Sequence, residues 1–254
     1  MIYVTGDTHG DFSRLFSDEF SGLTKKDYMI ICGDFGGVWR HGSRQEGMLD
    51  CLTLLPFNIL FVDGNHENFN LLNEYMGMFW KGGHVRYIRS NVKYLIRGEI
   101  YDIDNHSIFV MGGAASHDIH NGVLDKDAPG YWEESRRLQR EGKFFRVKNE
   151  SWWEQELPDE KEIDRGWQNL CDHEKKVDYI ITHCAPTGIQ KKISRKLHNN
   201  TYKPDRLTDF LERVYKECEF KEWYCGHYHK NMRIKRVNVL YEDIVRLYEG
   251  NLCY

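Results

Sequence analysis

MIYVTGDTHGD (Met1–Asp11) is the stretch on which the fold turns. MIYVT is apolar enough to read as a buried strand, and the glycine-bracketed hexapeptide GDTHGD (6–11) comes directly after it. The hexapeptide has two readings. It is a polar turn in which Asp7 caps the next helix, or it is half of a metal site whose other ligands arrive later in the chain. The residues at the ends of the other strands separate the two.

The 254 residues suffice for one large domain or two small ones. With no internal repeat and no low-complexity linker, a single domain over residues 1–254 is expected. A hydrophobic content of 41% and a charged content of 29% are those of an ordinary soluble globular protein. The net charge of −4 gives no global reason to expect nucleic-acid or membrane affinity. There is no run of about 18 apolar residues, which argues against a membrane span, and no signal-peptide pattern at the start. Seven cysteines (32, 51, 171, 184, 218, 225 and 253) include no C-x-x-C pair, so reduced thiols in a cytoplasm are expected. Cys184 and Cys225 read as small buried hydrophobes.

Short apolar runs alternate with helical stretches in the first third. MIYV leads to a helix expected from about Asp11, DYMIIC (27–32) to one near 43–55, and FNILFVDGN (57–65) to one at NFNLLNEYM (68–76). Strands apolar on both faces and separated by helices point to a covered parallel sheet. After residue 85 the pattern changes. NVKYLIRGEIYDIDNHSIFVMGGA (91–114) reads as two antiparallel strands joined at Asp104-Asn105. VDYIITHCAP (177–186) is a further buried strand and DRLTDFLERVYKEC (205–218) an amphipathic helix. EWYCGHYHK (222–230) and MRIKRVNVLYEDIVRLYEG (232–250) supply closing strands. Residues 115–176 are strongly charged, with helices expected over 131–141 and 159–175. They read as an insertion packed on the core through Trp132, Trp152, Trp153 and Trp167.

Ligand-type residues gather at the strand ends. GDTHGD follows the first strand, GDFGG (33–37) the second and DGNHE (63–67) the third; THC (182–184) and CGHYHK (225–230) end later ones. In open α/β sheets the carboxyl edge is where ligands bind. Each cluster alone has an ordinary explanation: a turn, a helix cap, a hydrogen-bonded structural histidine. His227 and His229, two apart, face the same way if they lie on a strand. Five such clusters in succession, all at strand ends, leave coincidence remote.

In this order the motifs resemble those of the calcineurin-like metallophosphoesterases. They are Asp7-Thr8-His9 (D-x-H), Gly33-Asp34 (G-D), Gly64-Asn65-His66-Glu67 (G-N-H-[DE]), His183, and Gly226-His227-Tyr228-His229 (G-H-x-H), and they span residues 6–229. The resemblance implies an α/β fold, a four-layer α-β-β-α sandwich of two packed mixed β-sheets flanked by helices. It implies that Asp7, His9 and His229 hold one metal, that Asn65, His183 and His227 hold another, and that Asp34 bridges them. His66 would face the leaving-group oxygen or the phosphoryl group without being a ligand. Thr8 then points away, and Asp11 is left to cap the following helix.

Chemistry agrees with that assignment. Two cations roughly 3.5–4 Å apart, sharing a carboxylate and a hydroxide, activate water and neutralise phosphoryl oxygens. Imidazoles with carboxylates suit Mn, Fe, Zn, Co or Ni better than Ca, and the lack of thiolates fits a catalytic site.

The second motif departs from a common extension, G-D-x-x-D-R. Here Gly33-Asp34-Phe35-Gly36-Gly37-Val38 carries neither the second acid nor the arginine. Arg40 either substitutes from two residues on or is a solvent-exposed loop residue. The departure weakens any parallel with protein serine/threonine phosphatases. MGGAASHD (111–118) and SWWEQELP (151–158) resemble a group of small bacterial and phage-type members. That likeness puts the 115–176 insertion at the active-site mouth, with His117, Asp118 and His120 on the substrate side unless they form a self-bonded polar loop. KKISRK (Lys191–Lys196) reads as a solvated surface run before it reads as an attractor of phosphate-rich substrates. SWW reads as buried packing, since the acids beside it repel a polyanion.

The expected function is a phosphoesterase using two divalent metal ions, with a bridging hydroxide attacking phosphorus in line. The substrate is a phosphorylated small molecule, nucleotide or cyclic nucleotide, as monoester or diester. The alternatives on the same fold are a protein serine/threonine phosphatase, a nuclease, and a non-catalytic metal-binding scaffold; nucleic acid is possible but not indicated as a partner, and no membrane is.

Overall fold

The computed structural model describes residues 1–199 and 201–247. Cys253 and the last residues of the closing stretch lie outside the described residues. The strands in chain order are β1 (Ile2–Thr5), β2 (Tyr28–Ile31), β3 (Asn58–Phe61), β4 (Gly77–Trp80), β5 (Gly83–Tyr87), β6 (Val92–Leu95), β7 (Ile100–Ile103) and β8 (His106–Met111). They continue as β9 (Val123–Leu124), β10 (Arg146–Val147), β11 (Tyr179–Thr182), β12 (Glu222–Cys225), β13 (Met232–Ile234), β14 (Val237–Val239) and β15 (Ile244–Arg246). The helices are α1 (Ser43–Leu52), α2 (Phe69–Glu74), α3 (Tyr131–Arg140), α4 (Glu160–Asp172), α5 (Thr187–Leu197) and α6 (Arg206–Glu217).

Two mixed sheets carry the fold, in the orders β15-β1-β2-β3-β6-β5-β4 and β13-β14-β12-β11-β8-β7. Each has a parallel centre, β1, β2, β3 and β6 in one and β8, β11, β12 and β14 in the other. Antiparallel strands finish the edges. The central strands YMII and YIIT are buried at every residue, as strands covered on both faces must be.

Alternate residues divide the burial between the faces. Val4, Ile30 and Leu60 meet Ile108, Val110 and Ile181 between the sheets. Met29, Ile31 and Phe61 turn outward onto Leu49 and Leu52 of α1 and Leu72 of α2. On the far side Phe109, Ile180 and Trp223 pack against Leu170 of α4, Ile189 and Ile193 of α5, and Phe210 and Leu211 of α6. The result is the four-layer α-β-β-α arrangement expected from the motifs.

Three local features differ from expectation or refine it. The helix expected from Asp11 is instead a pair of 3₁₀ turns, Ser13–Phe16 and Asp18–Phe20. Here Asp and Ser side chains compete for backbone N–H groups: Asp11 Oδ1 accepts from Ser13 N (2.9 Å) and Ser17 Oγ from Glu19 N. The Asp104-Asn105 turn joins β7 to β8 with both residues left-handed (φ 54° and 63°), while VKYL just upstream is a separate strand of the other sheet. In the insertion, Trp153 is buried edge-on to Trp39 (5.4 Å), and Trp167 packs half-buried on the second sheet's helical side. Trp132, by contrast, is 68% exposed on α3. Among the described residues no helix is long and apolar enough to cross a membrane.

Candidate metal centre

Every cluster of ligand-type residues begins within four residues of the carboxyl end of a parallel strand. Asp7 and His9 follow β1, Asp34 follows β2, Asn65 and His66 follow β3, His183 follows β11, and His227 and His229 follow β12. Backbone hydrogen bonds fasten these loops together: His9 N to Asp34 O (2.7 Å), Gly10 N to Phe35 O (2.9 Å) and Gly226 N to His183 O (2.9 Å).

The local backbone is not strand-like. His9, Asp34, His227 and His229 all have positive φ (46°, 47°, 71° and 47°). A non-glycine residue held there costs on the order of 1–3 kcal/mol, and such residues cluster at functional sites. The two histidines of CGHYHK therefore reach one region through left-handed turns, not through alternation on a strand. Between them Tyr228 turns inward, donating its hydroxyl hydrogen to Gln190 Oε1 (2.9 Å) and accepting from Ala185 N (3.0 Å).

The motif glycines have a steric reason. A Cβ at Gly33 would collide with the His183 ring, one at Gly64 with the Asp34 carboxylate, and one at Gly226 with the Asp7 carboxylate. Each glycine makes room for a polar side chain delivered by a different strand.

Two groups of donors result, with Asp34 between them. In the first, the ligand-type atoms of Asp7, His9, Asp34 and His229 lie within 4.8 Å of one another. His9 Nε2 faces His229 Nε2 at 3.1 Å, and Asp7 Oδ2 is 3.1 Å from His229 Nε2. In the second, His183 Nε2 is 3.3 Å from Asn65 Oδ1 and 3.4 Å from Asp34 Oδ1, and the His227 ring centre is 5.0 Å from that of His183. Asp34 thus turns Oδ1 to the second group and Oδ2 to the first, where His9 Nε2 is 3.8 Å away.

These residues fit a cation. Asp7 Oδ2 is buried without a hydrogen bond, and two imidazole nitrogens aim at the same spot. A buried carboxylate oxygen left without a donor is costly unless a cation compensates it. Electrostatics agree. Burial alone would depress His183, yet the Asp34 and Asp7 carboxylates push it up to about 10. Burial alone would raise Asp34, yet His183, His66 and His9 hold it well below the usual carboxylate range. His227, buried and beside His183, is held well below the ordinary histidine value and so offers a neutral ring. His183 Nδ1 donates to Cys32 O (2.7 Å), leaving Nε2 to face Asp34 and Asn65.

His66 is half-buried with its ring 5.5 Å from that of His9, and its backbone N–H donates to Asp34 Oδ1 (2.8 Å). Burial lowers its pKa, against the pull of Asp34. Glu67 does not orient it. Glu67 is fully buried and accepts from Phe35 N (2.6 Å) and Gly36 N (3.4 Å), which clamps the Asp34 loop.

Several supporting residues carry no signal in the sequence. Ser116 Oγ accepts from Asn65 Nδ2 (3.4 Å) and donates to the buried Glu156 (2.6 Å), which sets the Asn65 amide. Arg14 donates to the backbone carbonyls of Asp7 and Tyr241. Asp63 is buried with Arg97, whose Nε donates to it at 2.8 Å, and Tyr94 donates a further bond (2.9 Å). Arg97 also donates to Gln155 O (2.7 Å), tying the third strand end to the insertion.

The remaining candidate residues fall outside the two donor groups. Arg40 is exposed, and Lys191, Lys192, Arg195 and Lys196 lie on the exposed face of α5. His117 stacks edge-on to Tyr202 (5.3 Å) and His227 (5.9 Å), and with His120 it lines a 330 Å³ cavity beside His227. Asp118 pairs with Arg146 rather than with its own loop. Burial pushes the thiols of Cys32, Cys184 and Cys225 well up, consistent with packing and not nucleophilic roles.

Comparison with known proteins agrees with the fold. The calcineurin-like phosphoesterase family model matches residues 1–231. A lariat debranching enzyme of Drosophila pseudoobscura pseudoobscura is 24% identical over 259 residues, a match covering 90% of this chain. The chain spans 42% of the length of that relative.

Proposed function

The chain belongs to the calcineurin-like phosphoesterase family, and on that premise we propose that it hydrolyses phosphoric esters of small molecules or nucleotides with two divalent cations. The observation that carries the reading is Asp34, buried, with one carboxylate oxygen turned to each donor group. In this reading Asp7, His9 and His229 hold the first cation, Asn65, His183 and His227 the second, and Asp34 both. The donor set, imidazole and carboxylate without thiolate, suits Mn, Fe, Zn, Co or Ni. When bound, the cations supply Lewis acidity: they make water acidic enough to lose its proton near neutral pH and neutralise phosphoryl oxygens.

The chain's own groups do the positioning. His183 and Asn65 are held by Cys32 O and Ser116, so their donor atoms are aimed before any ligand arrives. His66, kept neutral by burial and tethered through its backbone to Asp34, stands where it can hydrogen-bond a leaving-group oxygen. A compact ester fits this chain better than a phosphoprotein, because Phe35-Gly36-Gly37-Val38 brings no arginine to the second loop.

The test is turnover of p-nitrophenyl phosphate and of its bis-ester by protein reconstituted in parallel with Mn, Fe, Zn, Co and Ni. Wild type should turn over with at least one metal, and Asp34→Asn should lose turnover. Undiminished turnover in Asp34→Asn, or after thorough chelation, overturns the reading. Tight metal binding without turnover on a broad ester panel favours a scaffold instead.

A further inference from the structure

Phe35-Gly36-Gly37-Val38 carries no arginine, and Arg40, further along the same loop, is exposed, so a phosphate-facing guanidinium would have to come from elsewhere. Arg146, in the insertion, is placed to be that residue. Its side chain is 14% exposed, and its fork meets the Asp118 carboxylate: Nε donates to Oδ1 (3.3 Å) and Nη2 to Oδ2. Asp118 directly follows His117, whose ring meets the His227 ring edge-on at 5.9 Å, so Asp118 lies one residue from a side chain that touches the second donor group. Both charges lie within electrostatic reach of the His66 ring, which places the pair near the donor groups. Two scaffolds hold the guanidinium in place. β10 pairs with β9, and the Phe144 ring centre lies 5.0 Å from Arg146 Cζ.

We propose that Arg146 binds the phosphoryl oxygens of the substrate, with Asp118 acting as a resident anion that the phosphate displaces. This rests on the hydrolase reading above. The chemistry of the exchange is matched at both ends. A guanidinium fork meets phosphate in the same two-point geometry in which it meets carboxylate. A phosphomonoester carries more charge than the carboxylate it replaces, which favours the hand-over once such an ester is seated. The insertion then supplies the positive group that the second motif lacks.

The test measures equilibrium binding of inorganic phosphate to Mn-loaded protein by calorimetry, together with KM and kcat for p-nitrophenyl phosphate. Arg146→Ala should weaken phosphate binding and raise KM roughly 10- to 100-fold, the range for losing a hydrogen-bonded charge, with metal content unchanged. Arg146→Lys should recover part of the loss, and Asp118→Asn should tighten phosphate binding. If Arg146→Ala does not fold, Arg146→Lys carries the test, with binding weakened several-fold. Phosphate binding and KM indifferent to Arg146, or no phosphate binding by wild type, overturn the inference. So does an Asp118→Asn variant that weakens binding as much as Arg146→Ala, because the pair would then be structural. Arginine-dependent phosphate binding without ester turnover sinks the hydrolase reading and leaves this one standing. Turnover indifferent to Arg146 does the reverse.

Discussion

The His183 ring, carried by the second sheet, hangs from the backbone of the first through a 2.7 Å hydrogen bond from Nδ1 to Cys32 O. One bond thus sets the tautomer, aims Nε2 at Asp34 and Asn65, and ties the two sheets at their carboxyl edges. The residue after Cys32 is Gly33, which lies under the same ring.

Gly33 has φ 93°, and an added Cβ would strike the His183 ring. Gly33→Ala should therefore lower the melting temperature and weaken metal binding at least about tenfold, the lower range for disturbing a ligand's support. Metal content after dialysis against a weak chelator reads the second effect. Full retention of metal would contradict the steric role.

Asp63 and Arg97 are 0% and 2% exposed, so removing either partner strands a buried charge. Arg97→Ala should cost about 3–5 kcal/mol of stability in urea unfolding, whereas Asp63→Leu with Arg97→Met should cost much less. Equal costs for the single and double variants would show that the pair's charge is not what matters.

Ser116 touches no expected metal but fixes the Asn65 amide. Ser116→Ala should weaken binding of one cation roughly 10- to 100-fold and spare the other. A calorimetric titration showing two unaltered binding events would rule this out.

Asp178 accepts from Lys221 Nζ (2.8 Å) and Ser107 N (2.9 Å). Burial works to raise its carboxyl, and Lys221 with Ser107 more than offsets that, leaving it below its ordinary 3.8. The unfolded chain then takes up the proton first as pH falls. The contribution is full above about 3.8 and disappears as pH drops below it. Asp178→Asn should melt about 2–4 °C below wild type near neutral pH, for a loss of about 1 kcal/mol. That gap should close below pH 4; a pH-independent gap would point to packing instead.

Much of the candidate site is legible in the sequence because its signals are local. A carboxylate, imidazole or amide one to four residues past an apolar strand announces itself, and Asp104-Asn105 favours left-handed turns whatever surrounds it. The supporting groups are not legible. Arg97, Glu156 and Arg14 resemble surface residues until their partners, 34, 40 and 7 positions away, are brought alongside. The stretch after Asp11 misleads because its apolar spacing suggests a helix, while Ser and Asp side chains take the backbone donors. The left-handed turns at His227 and His229 are hidden for another reason: their cost is borne by tertiary bonds such as Tyr228 to Gln190.

The pairing of each motif glycine with another strand's side chain has an evolutionary consequence. Gly33 is needed beneath His183, Gly64 beside Asp34 and Gly226 beside Asp7. Gly33 is held as well by its own backbone, at φ 93°, so a descendant that lost His183 would still favour glycine there, and the histidine could return in a single change. Loss of His183 therefore leaves no scar at position 33, and a glycine kept there does not by itself tell a working relative from an inactivated one.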